Sequence, residues 1–551
     1  VALLWGLSWL LVAAGCSDAK GRNATKRLLE EIDLANRLYA RAVSLMTSTP
    51  VKVDGQFTPL SRLGRVGGGS SVELPPPLAV HPQAWDALVK AEKGLTRAII
   101  QYGPDSGPEV QALANVMLGN VLMLKAEYQL AAGAADRQDA RDTVVLAGRS
   151  VSMVQLYMAL ITYSRQLMAL GDKDVAEMLS AAREEAAKAQ AAADKTQEEI
   201  QSLRTQRDQH HAANEKLIPQ ARRMRLDSQQ AGGTKGMDLL DQALKMESEI
   251  NENVSAIAAL ENTIELRQAA LGDLTLAVQA AQGRQKAAEA ILAARKNYTD
   301  SGSGAIEAFG TDEAKARNEV QEQVSHLARI CERVSGAEDA AAQAYGPAIS
   351  KFQTARRLQP RGQDVQTIAR LADAHWALAE LKDQSLHLRR RNMLLVARLA
   401  AIWTTDRDAA PLPPAGSSGG GDALIEPADD VLQAVPAFAR GILAYVPNPQ
   451  QARKDAIENY QQAGELYGTA TRLAPFNLRW TYQGQAAAAY IALYRLSGDA
   501  EVLAKAKEAL KEALADKRES SYLVDVVELE KLLQSSTTQP ASRPAAGPSP
   551  P

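Results

Sequence analysis

Six histidines, two cysteines and a wide scatter of carboxylates are the residues of this chain that could carry chemistry. His326 and Cys331 are five apart on one helical stretch. A helix turn pairs i with i+4 better, and no third ligand is near in sequence, so the spacing does not read as a zinc site. His210 and His211 are adjacent in a long polar helix, where His210 falls on the apolar seam opposite Ile257 and reads as a wet seam position. The glycine-rich run Arg65–Ser71 lacks the GK[ST] ending of a phosphate loop. No GxSxG, HExxH or CxxC run occurs, and the carboxylates lie on solvated helix faces without a catalytic context. No catalytic, cofactor-binding or metal-binding residue is therefore assigned, no cofactor is implied, and an enzyme is not expected. The formal net charge of -3 lacks the basic excess of a nucleic-acid binder.

Cys16 is a different matter. It follows the apolar run Val1–Gly15, which is as long as a signal-peptide core and too short for a typical membrane span. The residues LVAAGC, Leu11–Cys16, resemble a bacterial lipobox, with Ala13 where leucine is commonest. That resemblance implies removal of residues 1–15 and lipidation of Cys16, hence a lipid-mediated membrane attachment. Ser17 after the cysteine fits the sorting pattern for the periplasmic face of the outer membrane. Cys331 would then be the remaining thiol, which rules out an intramolecular disulfide.

The elements that must position everything else are helices. Alanine is abundant, aromatics make up 5% of the chain, and no stretch alternates as strands do, so the fold class is all-α. Residues 172–298 read as two long helices around the turn Ala231–Gly236, with Gly232, Gly233 and Gly236 making the reversal. Apolar and small residues recur in alternating steps of four and three on both arms. Folding the chain back between Gly233 and Thr234 sets each seam position opposite another: Leu217 meets Ile250, Leu203 meets Ile264 and Ala193 meets Leu274. Asn214 then faces Asn253, a polar layer of the kind that fixes register in a coiled coil. The expected object is an antiparallel coiled-coil hairpin about 85 Å long at roughly 1.5 Å per residue.

Around the hairpin, residues 16–82 comprise the lipidated N-terminus, a helix over Asn23–Met46 and a long loop. Residues 83–171 and 305–409 read as helical segments. Within the second, separate helices are expected over Asp312–Val334 and Ala337–Leu358, then another over Asp364–Trp403 with a break near Arg390. Residues 410–427 are a Pro/Gly/Ser linker, 428–534 a C-terminal helical unit and 535–551 a disordered tail.

Three helices share a pattern: a small residue, a bulky one four later, an alanine three beyond, and a proline after five more. Ala348, Phe352, Ala355 and Pro360 fit it, as do Ala463, Tyr467, Ala470 and Pro475; Ala91, Leu95 and Ala98 fit its helical part. The pattern resembles the second helix of the tetratricopeptide repeat, whose small residues let helices approach while the bulky one fills a groove. Leu118–Gly119 and Trp480 with Gly484 are weak first-helix matches, and the thirty-four-residue period is not kept. The resemblance implies a repeat body that binds a protein or peptide. The expectation is a non-catalytic envelope scaffold or adaptor: a body resembling tetratricopeptide repeats, interrupted by the hairpin. Other readings are a structural spacer that self-associates through the hairpin, and an enzyme whose site is assembled from distant residues.

Overall fold

A computed structural model of the chain describes residues 19–47, 80–231, 233–297, 302–359, 364–404 and 436–515. Every regular element among them is a helix: α1 (Ala19–Thr47), α2 (Pro82–Tyr102), α3 (Pro108–Ala132), α4 (Ala134–Met168), α5 (Asp172–Ala231), α6 (Gly233–Lys296), α7 (Gly302–Leu358), α8 (Val365–Thr404), α9 (Arg440–Leu443), α10 (Pro449–Leu473), α11 (Phe476–Ser497) and α12 (Ala500–Ala515). Short 3-10 turns precede α3 and α9. The fold is all-α. Cys16, Gly232, Pro360, the 410–427 linker and the 535–551 tail lie outside the described residues.

The body is built on α7. Its first half buries Val320, Val324, Leu327, Ile330 and Val334 against Ala140, Val144, Ala147, Val151 and Val154 of α4. Its second half buries Ala344, Ala348 and Phe352 in the core shared with α3. The α3 and α4 helices meet at Gly133, which touches α7 at Ala337: a Cβ on Gly133 would lie 2.7 Å from that alanine's. This arrangement explains why α7 is a single helix of 57 residues, where two were expected with a stop at Ser335–Gly336. A mid-helix glycine costs about 1 kcal/mol relative to alanine. Burial of apolar side chains on both sides of the site outweighs that penalty. No break occurs in α8 near Arg390 either, because Leu388, Met393, Leu395 and Val396 continue into the same core.

The remaining helices add in order. The α1 stripe of Leu28, Ile32, Ala35, Tyr39 and Met46 packs on α2, whose buried face repeats at Leu88, Ala91, Leu95 and Ala98. Both stripes follow the three-and-four spacing of a core-facing helix. At the other end α10 packs on α8, α11 on α10 and α12 on α11. By length and apolarity α4 is the one described helix that could cross a membrane. In this fold α6, α7 and α8 pack along it, and its apolar window is 39% buried, with Val145 and Leu146 about half exposed.

Candidate functional site

The longest helices, α5 and α6, have 60 and 64 residues and lie against each other as an antiparallel pair. The reversal at Gly233 has φ +58°, a left-handed conformation that favours glycine. Gly236 is fixed by close approach, since a Cβ there would come within 2.8 Å of the Ser228 carbonyl oxygen. Ala182, Ile200, Ala221, Ala243, Ile250 and Ile264 are buried between the arms.

One polar layer interrupts this seam. Asn253 Nδ2 donates to Asn214 Oδ1 at 2.9 Å, and Asn214 is 7% exposed. His210 Nδ1 lies 2.8 Å from Asn253 Oδ1. An amide oxygen only accepts, so Nδ1 is the donor in this contact. The register residues Asn214 and Asn253 are thus brought together with a third member, His210. In this register His210 stands opposite Ile257, so its bond to Asn253 links adjacent layers. Ion pairs flank the seam from base to tip: Arg183–Glu289 at 2.8 Å, Arg267–Glu199 at 3.3 Å and Arg225–Glu247 at 3.0 Å. Exposed pairs of this kind contribute little to stability and more to alignment.

The base of the hairpin is gripped by Arg295. Its guanidinium pairs with Asp172 at 2.8 Å and donates to the carbonyls of Met168 at 3.1 Å and Leu170 at 2.7 Å. It thereby caps free carbonyls at the end of α4 and ties them to the first residue of α5 with one side chain. Leu167, Val175, Ala287, Ala288 and Ile291 form a small core beneath it. Gly283 of α6 is seated on Leu160 of α4 so closely that a Cβ would lie 2.5 Å from Leu160 Cδ1. Further toward the tip, α6 and α4 part around a cleft of about 540 Å³ lined by Arg149, Met153, Leu271, Leu276 and others. Near the turn, Leu226, Met237 and Leu240 are 60%, 71% and 40% exposed.

The repeat-like residues occupy two environments. Ala348, Phe352 and Ala355 are fully buried within the long α7. The Phe352 ring covers Gly119 of α3, where a Cβ would lie 2.7 Å from two ring carbons. The bulky residue does fill a groove over a glycine, but that glycine belongs to a remote helix and not to the preceding helix of a short pair. Ala463, Tyr467 and Ala470 are fully buried in α10. Pro475 stands at the N-cap of α11 with ψ 147°, just past the end of α10.

Histidine and cysteine chemistry does not converge. His326 Nε2 pairs with Asp139 at 3.3 Å. Cys331 is buried beside Asn392, whose Nδ2 donates to Sγ at 3.4 Å. Burial pushes the thiol up to about 11, which keeps it protonated. Among the described residues no group of three His, Cys, Asp or Glu side chains could hold a metal.

What sequence reasoning missed are two buried polar junctions. At the first, Glu338 of α7 is 7% exposed and pairs with Arg137 at 3.2 Å. It accepts hydrogen bonds from Ser385 at 2.8 Å and from the Tyr445 hydroxyl at 2.9 Å. Burial raises its carboxyl above the usual range, against the pull of Arg137. At the second, Asp373 of α8 is 6% exposed, pairs with Arg370 at 3.2 Å and accepts from the Tyr467 hydroxyl at 2.6 Å. Burial pushes the Tyr39 phenol of α1 upward, and the nearby Glu127 charge adds to the shift. These acids face basic, hydroxyl and phenol groups within closed packing, which suits joining helices together better than turning over a substrate.

No family model matches the chain, and no curated protein does. A solved structure described as a circular tandem repeat protein with novel repeat topology and enhanced subunit contact surfaces is similar over 94% of this chain and 99% of its own, at 13% identity and a TM-score of 0.14. At that score the likeness carries no argument about fold or role.

Proposed function

We propose that the protein is a non-catalytic scaffold or adaptor of the bacterial envelope, with the hairpin as its main contact element. The observation that carries this reading is the way the hairpin is held. Arg295, the Leu167–Ile291 core and the Leu160–Gly283 contact fix its base. Past the cleft, each arm's extended packing is on the other arm. The tip then offers Leu226, Met237 and Leu240 with the exposed Arg223 and Lys235 nearby. A stiff rod ending in apolar and charged side chains suits contact with a partner protein at a distance from the body. The α8, α10, α11 and α12 succession, with its resemblance to tetratricopeptide repeats, is the part suited to a peptide or partner helix. Removing the hairpin must therefore cost a partner and leave the body folded.

Lipidation of Cys16 would hold this scaffold on a membrane, in keeping with the lipobox-like run before it. Cys16→Ala is expected to move the protein from the membrane fraction to the soluble fraction; an unchanged distribution contradicts the anchor.

A second reading, a self-assembling structural spacer, is favoured by the exposed apolar tip alone. Light scattering separates it from the first: a larger species that becomes monomeric on hairpin removal supports the spacer, and a monomer throughout rejects it.

A further inference from the structure

The chain leaves the body at Thr404 and is described again from Pro436. The two ends are neighbours, because the rings of Trp403 and Phe438 are 5.3 Å apart and roughly edge-to-face. Residues 436–515 are therefore positioned by what they touch, and those contacts repeat one device. The Tyr445 hydroxyl donates to Glu338, already paired with Arg137. The Tyr467 hydroxyl donates to Asp373, already paired with Arg370.

Further contacts reinforce both points. Arg389 of α8 donates to the carbonyls of Tyr445 at 2.8 Å and Val446 at 2.7 Å. Val446 sits at φ 51°, a strained conformation for a β-branched residue, which the Arg389 grip holds in place. Along α10, Asn459 Oδ1 meets His375 Nδ1 at 2.7 Å. Tyr460 and Tyr467 lie edge-on to Trp376 at 5.7 and 6.4 Å.

We propose that residues 436–515 are a latch, a separately docking unit keyed to the central helices by Tyr445 and Tyr467, each completing a buried arginine–carboxylate pair. An undocked latch would leave both carboxylates without their phenol donor and uncover the α8 face. The keys make docking selective, because an apolar replacement at either tyrosine removes a hydrogen bond to a buried carboxylate. This holds whichever partner the hairpin takes.

The test uses the full chain with a specific protease site inserted between Ser417 and Gly421. After cutting, gel filtration at micromolar concentration is expected to return both fragments in one peak. Tyr445→Phe or Tyr467→Phe is expected to weaken the association about tenfold or more, and the double variant to release the C-terminal fragment. Tyr494→Phe, in the same unit but without a described hydroxyl contact, is expected to change nothing. Each single variant is measured alone, so a double variant that fails to fold still leaves the ranking readable. Wild-type fragments that separate at micromolar concentration overturn the latch. So do Phe variants that associate as tightly as wild type.

Discussion

Asn253 donates from Nδ2 to Asn214 and accepts at Oδ1 from His210, so a single side chain aligns three positions of a long seam. Asn253→Ala strips Asn214 of its buried partner. The expected cost is about 1–3 kcal/mol, read as a lower unfolding midpoint. Replacing both asparagines by leucine is expected to recover that stability while letting the arms slip in register. Gly119 lies under Phe352 with no room for a methyl group. Gly119→Ala is expected to destabilise by about 1–3 kcal/mol through overpacking, and Phe352→Leu in the same chain should restore part of the loss. His375 is a third case. Burial lowers its pKa from the ordinary 6.5, although the Asn459 hydrogen bond opposes the shift. A depressed histidine favours the folded state while neutral, and this contribution is lost as pH falls below its unfolded value. Stability should thus decline from about pH 7.5 to about pH 5.5, and His375→Gln should remove that part of the decline. The raised carboxyl of Glu338 works in the opposite sense, so the difference between the two proteins is the measurement to use.

At the scale of elements, the hairpin depends on its base more than on its ion pairs. Arg295→Ala removes a four-partner cap from the meeting of α4, α5 and α6. Amides around Leu167–Val175 are expected to exchange with solvent markedly faster, with little change near the tip. The arms themselves were legible in the sequence, because a seam of small and apolar residues repeats over many turns and its midpoint falls on glycines. Pro108 at the start of α3 and Pro475 between α10 and α11 are local signals of helix ends. The continuity of α7 was not legible. Ser335–Gly336 gives a local stop signal, and what overrides it is contact with helices nearly two hundred residues earlier, as in the Arg333–Asp136 pair at a separation of 197. The polar junctions were equally hidden. Tyr445 and Glu338 are 107 positions apart and Tyr467 and Asp373 are 94 apart, so no spacing rule could have joined them.

As a whole, the molecule combines an α7-centred body, a hairpin fixed at one end, and a C-terminal unit held by two tyrosines. Division of labour follows from the physics of each part. The body buries its apolar faces on several helices and supplies a rigid base. The hairpin exposes most of its surface relative to its core and is suited to reaching a partner. The most direct measurement is affinity capture from envelope extract with two proteins: the full chain, and a variant whose arms are shortened to the Glu185–Arg284 pair and rejoined by a glycine turn. Retained helicity and a similar unfolding midpoint must first show that the variant's body is intact. The expected result is that the full chain reproducibly captures at least one protein that binds it directly when purified, and that the shortened form loses it. Identical capture by both proteins would contradict the hairpin's place as the contact element.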